Sequence, residues 1–134
     1  MSSLKVTYNG QHNTSIVHLD SGVVIQTDAP KDNHGLGQSF SPTDLLCTSL
    51  ISCILTIISI SLKKHNINLI GTSAIIHKRM KNNPRVISVI SADITFPKNY
   101  SIKIKKIIKN SIKNCPVHKS LSKEITTNIN IIYS

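Results

Sequence analysis

The sequence predicts an α+β fold, and three observations predict it. Short runs of alternating apolar residues are separated by the turn chemistry of Asn9-Gly10, Asp20-Ser21-Gly22 and Asn82-Asn83-Pro84. The uncharged run Leu45 to Leu62 is far longer than an ordinary strand. A Lys-rich stretch, Ser101 to Asn114, repeats its isoleucines at helical spacing. In chain order these give βββ-α-ββ-α-β, expected as two antiparallel sheets with a buried central helix between them. At 134 residues the chain is expected to form a single domain, 1–134, able to fold without disulfide staples.

Leu4 to Tyr8, Ser15 to Leu19 and Val23 to Thr27 read as a meander of short strands. The polar loop that follows, Asp28 to Phe40, holds Gly35 and Gly37 and is long for a connection in a compact domain. Ser41-Pro42-Thr43-Asp44 is a helix start: Ser41 suits the N-cap, Pro42 the first helical position, and Asp44 completes a capping-box pattern. That helix is expected to run to about His65 and, being apolar on nearly every face, to be surrounded by protein. Thr72 to Met80 and Arg85 to Phe96 read as a hairpin, Ser101 to Asn114 as the second helix, and Ile125 to Tyr133 as the last strand.

Composition narrows the function classes. The net charge of +10 invites a nucleic-acid reading. Yet Arg79 and Arg85 are the only arginines, and Arg is the usual reader of guanine edges. Lysines crowd Lys103 to Lys113, as expected for a solvated helix face, so no nucleic-acid partner is expected. Three cysteines do not make a secreted disulfide framework, and the N-terminal residues lack an apolar signal segment. A cytoplasmic protein is expected, in which a disulfide would be transient and catalytic. Leu45 to Leu62 reaches the lower limit for a membrane span, but its Thr48, Ser49, Ser52, Thr56, Ser59 and Ser61 favour a core helix, and no membrane partner is expected.

Cys53 lies in the middle of the long helix, sharing a face with Ser49, Leu50, Thr56 and Ile57. Ile104, Ile108, Ile112 and Cys115 fall four, four and three residues apart, one helical stripe, so Cys115 is expected to turn inward with the isoleucines. A thiol able to form a sulfenic acid and a second able to condense with it are the minimum equipment for reducing a peroxide. Buried cysteine is also a common small hydrophobe, and spacing alone does not prove contact. Cys47, six residues before Cys53, is turned about 240° away and is expected to pack in the core. Cys115-x-x-His118 has half the spacing of a metal site, but no second pair completes it, so no metal is expected.

Residues Asp28 to Leu62 resemble the signature of the OsmC/Ohr family, the osmotically induced and organic-hydroperoxide-resistance thiol peroxidases. The matching residues are Asp28-Ala29-Pro30, Gly35-x-Gly37, Ser41-Pro42-Thr43-Asp44-Leu45-Leu46 and Cys53, then Cys115-Pro116-Val117 with Ser120-Leu121. The resemblance implies an intertwined homodimer and a thiol-dependent peroxidase acting on organic hydroperoxides in oxidative-stress defence. Cys53 matches its peroxidatic cysteine and Cys115 its resolving one. It implies a thiol reductant, in several members a dihydrolipoyl group on a partner protein, and no organic cofactor. The family's hydroperoxide-resistance members use an N-terminal Arg, absent here before position 79, and a Glu where this chain has Thr43. The candidates for activation or substrate contact are therefore Asp44, Thr43, Arg79, Arg85, His118 and His34. Asp44 sits about 180° round the helix and about 13 Å along it from Cys53, which favours a role as helix cap. The alternative readings are a catalytically weak binding or redox-sensing member of the family and a basic nucleic-acid binder. The apolar helix independently predicts a homodimer, because one small protomer supplies too little surface to cover it.

Overall fold

The computed structural model describes residues 2–134. The chain divides into two compact units, Met1–Leu46 and Cys47–Ser134.

The first unit is an antiparallel sheet of β1 (Leu4–Gly10), β2 (Asn13–His18) and β3 (Val24–Asp28), in that order. The first turn, at Gln11-His12, lies two residues later than Asn9-Gly10 predicts. Gly10 pairs with Asn13, Gln11 and His12 both have positive φ, and the register breaks between Tyr8 and Gly10. Asn9-Gly10 thus forms a bulge ahead of a primed-type turn. The pairings Val6 with Ile16 and Ile16 with Ile25 collect Leu4, Val6, Tyr8, Ile16 and Ile25 on one face. That face stays in water: Leu4, Val6 and Tyr8 are 64%, 62% and 65% exposed.

The loop after β3 is folded rather than loose. A short 3-10 turn, Lys31–Asn33, doubles it back. The Gly35 and Gly37 amides donate to the carbonyls of Pro30 and Ala29, and the buried Asp28 carboxylate accepts from the Gln38 amide at 3.0 Å. Gly35 is dictated sterically, since a Cβ there would lie 1.6 Å from the Ala29 carbonyl oxygen.

The second unit holds most of helix α1 (Pro42–Leu62), then β4 (Ser73–Lys81), β5 (Val86–Phe96), α2 (Ile102–Lys113), α3 (Pro116–Ser120) and β6 (Thr126–Tyr133). Its sheet runs β4-β5-β6. β4 and β5 are antiparallel, but β5 and β6 are parallel, which corrects the expected all-antiparallel pairing. The reason lies in the connection. The segment carrying α2 and α3 crosses back to the starting end of β5, and parallel neighbours need such a crossover. A bulge also shifts the phase of β5. Arg79 faces Val89 while Met80 faces Ile87, so Ser88 is unopposed, and Ile87 points inward together with Ile90, Ala92, Ile94 and Phe96.

Cys47, Leu50, Ile51, Ile54, Ile58 and Leu62 of α1 pack with those β5 residues, Ile104 and Ile108 of α2, and Cys115. Pro42–His65 is long and apolar enough to cross a membrane, at mean hydropathy 2.3. Its six core residues nonetheless make it part of this unit's interior. Burial on all sides, however, is not what the protomer shows. Leu46 and Ile60 are 39% and 64% exposed, and Ser49, Ser52, Thr56 and Ser59 lie on the same open stripe. The small hydroxyl residues make up most of that open stripe, opposite the core face.

Candidate active site

The thiol site is built entirely within the second unit. Cys53 lies at the border of the core face of α1 and is half-buried, whereas Cys115 is wholly buried. The structure brings the two side chains within interaction range of each other. Cys47 is buried in the core, as its rotation from Cys53 predicts.

Cys115 reaches this place by a route different from the predicted helical stripe. α2 ends at Asn114, and Cys115 has extended geometry as the N-cap of α3, with Pro116 at that helix's first position. Its sulfur accepts from the His118 main-chain N–H at 3.4 Å and lies 4.0 Å from the Leu50 carbonyl oxygen. Burial pushes the Cys115 thiol above its usual value of 9.0, and the neighbouring Cys53 side chain pushes the same way. The main-chain N–H groups of His118 and Val117 oppose this weakly. At neutral pH Cys115 therefore keeps its proton. The pair is asymmetric: a half-buried cysteine on α1 beside a fully buried one that keeps its proton.

His118 acts on the site through its backbone. Its ring Nε2 bonds Thr127 Oγ1 at 3.2 Å, beside a pocket of about 440 Å³ that it lines with Leu121, Ile125 and Thr127. Arg79 lies on the exposed face of β4, opposite Ala74, Ile76 and Met80, which pack toward the core. Arg85 is exposed just ahead of β5. Neither guanidinium is brought to the thiol pair.

In the first unit, His34 is exposed, with φ 68°, at the end of the 3-10 turn. Asp44 and Ser41 form a reciprocal capping box. The Ser41 N–H donates to the Asp44 carboxylate at 2.9 Å, and the Asp44 N–H to Ser41 Oγ at 3.0 Å. The Thr43 hydroxyl joins Ser41 Oγ at 3.1 Å. Both candidates are thus engaged at the helix start.

Sequence reasoning missed α3, the Leu50 carbonyl and Thr127. The first had a readable signal, because Pro116 directly after Cys115 marks a helix start as well as a helix stop. The other two had none.

The family model described as OsmC-like protein matches residues 35–130. A crystal structure from Psychrobacter arcticus 273-4, provisionally named an osmotic stress induced and detoxification response protein, is 46% identical over 98% of this chain and 96% of its own, with a TM-score of 0.93. An organic hydroperoxide resistance protein OsmC from Legionella pneumophila is 12% identical over 98% of this chain and 96% of its own, at TM-score 0.77. One from Elizabethkingia anophelis is 14% identical over 100% and 96%, at TM-score 0.74. The last two share the fold. No curated protein matches the chain.

Proposed function

The chain belongs to the OsmC-like protein family, and from that premise we propose that it is a thiol peroxidase for organic hydroperoxides. Cys53 is the nucleophile and Cys115 the resolving thiol. The observation that carries this reading is the asymmetric pair: Cys53 is partly open to substrate, and Cys115 beside it is buried and protonated.

The chemistry balances on these two residues. The Cys53 thiolate attacks the distal oxygen of ROOH, the O–O bond breaks, and the leaving alkoxide takes a proton to become ROH. Cys53 is left as a sulfenic acid. The Cys115 sulfur then attacks the Cys53 sulfur, expelling the hydroxyl, which leaves as water with the Cys115 proton. Two thiols are oxidised and one peroxide is reduced by two electrons. Before reaction, the Cys115 S–H is a donor that can hold negative charge on Cys53. A dithiol reductant, such as a dihydrolipoyl group on a partner protein, restores the pair by thiol–disulfide exchange. A cytoplasmic setting suits a thiol pair that must return to the reduced state.

The active species is a homodimer. The protomer leaves Leu4, Val6 and Tyr8 of the first sheet and, separately, Leu46 and Ile60 of α1 in water, which supports this reading. A second copy covers both.

Mass analysis tests the mechanism. Reduced protein treated with near-stoichiometric cumene hydroperoxide should form a Cys53–Cys115 disulfide. Cys115→Ser should stop at the Cys53 sulfenic acid and proceed to sulfinic acid with excess oxidant. Thiols that ignore the peroxide for many minutes would show a redox-inactive member of the family instead.

A further inference from the structure

We propose that the groove between α2 and β6 binds a free single-chain alkyl carboxylate, its tail laid along β6 and its headgroup paired with the lysines of α2. The groove has a volume of about 500 Å³, within the range of small-ligand sites. Its floor is the inward face of β6, chiefly Ile129, Ile131 and Tyr133. Its rim is Lys105, Lys109 and Lys113, spaced i, i+4, i+8 and so strung along about 12 Å of the groove. Neither thiol of the proposed peroxidase pair lines it, so the inference stands apart from that reading.

Charge selects the occupant. Like charges four residues apart on a helix repel. α2 carries no acidic residue, and among the described residues none lines the groove. Among the described residues the row meets the Tyr133 ring, with Lys105 Nζ 4.6 Å from its centroid. An anion laid beside these lysines relieves the repulsion. The apolar floor then decides what kind of anion. A nucleic-acid backbone would gain nothing from three half-buried hydrophobic side chains, whereas an alkyl tail gains by covering them. Carboxylate is favoured over phosphate because the lysines are strung out rather than convergent. No Arg fork is present to clamp a phosphate.

The test titrates the full-length reduced protein, with isoleucine methyls labelled for NMR, with dodecanoate below its micelle threshold. Hexanoate, dodecanol and phosphatidylglycerol vesicles serve as parallel probes. Shifts should concentrate on Ile112, Ile129 and Ile131, and affinity should rise by up to about fourfold per methylene from hexanoate to dodecanoate. Lys109 and Lys113 are exposed, so K109E/K113E should fold as wild type while weakening dodecanoate at least about tenfold and leaving dodecanol unchanged. K109Q/K113Q replaces it if charge reversal perturbs α2, and K109R/K113R should retain binding. Shifts scattered away from β6, equal affinity for hexanoate and dodecanoate, indifference to the lysine substitutions, or binding confined to vesicles would each overturn the assignment.

Discussion

The two sheets of this protein have the same number of strands and opposite destinations for their apolar residues. In the second unit β5 sends Ile87, Ile90, Ala92, Ile94 and Phe96 into a core shared with α1 and α2. In the first unit, among the described residues, only Thr27, Asp28 and Ser41 are buried, and the apolar face of β1 to β3 lies open. A three-stranded sheet without a covered face is marginal in water. The second unit therefore carries the hydrophobic core, whereas the first leaves an apolar face open in the protomer, the face that the proposed homodimer would cover.

Mutations can break that comparison. The largest effect is expected in the core of the second unit: Ile58→Ala or Ile90→Ala should cost about 2–5 kcal/mol in denaturant unfolding. Val6→Asp should act differently. On a face left in water it would change little, so the homodimer reading requires it to split the dimer and make the melting temperature strongly concentration-dependent. Light scattering decides the matter, since a well-folded wild-type species of 14.8 kDa at micromolar concentration would contradict it.

Smaller effects sharpen the division of roles. Ser41→Ala should lower stability by about 1 kcal/mol by removing the cap of α1. If Asp44 serves chiefly as the other half of that box, Asp44→Asn should lower the melting temperature slightly and leave the rate of disulfide formation within about twofold. A fall of a hundredfold would place Asp44 in the chemistry. The smallest effect is on pH dependence. Because the folded state raises the Cys115 pKa above its usual 9.0, the neutral thiol's contribution is intact below that value. It is lost as pH climbs through the folded value. Reduced wild type should lose melting temperature above about pH 9, and Cys115→Ser should flatten that loss.

Most of the fold was legible because its punctuation is chemical. Ser41-Pro42-Thr43-Asp44 specifies a helix start through atoms that the structure finds bonded as expected, and Ser101 does the same for α2 by accepting the Ile104 N–H. The direction of β6 was not legible. Alternation in Thr127, Ile129, Ile131 and Tyr133 gives the inward face of a strand but says nothing of which way it runs beside its neighbour. The burial of Cys115 followed from the isoleucine stripe, but that spacing gives no hint of its N-cap position, which Pro116 directly after it signals. The exposure of half of α1 was hidden too. Its serines and threonines are uncharged, so a search for charge saw no open side.

The cap has a bearing on what oxidation does to α3. A sulfur that serves a helix by accepting an N–H keeps its lone pairs when it enters a disulfide, so the bond from His118 to Cys115 is available in both oxidation states. What oxidation removes is the S–H, whose contact with the Leu50 carbonyl is long at 4.0 Å. If Cys115 resolves Cys53 as proposed, oxidation leaves the start of α3 with its cap, and that helix keeps the same anchor in the reduced and oxidised protein.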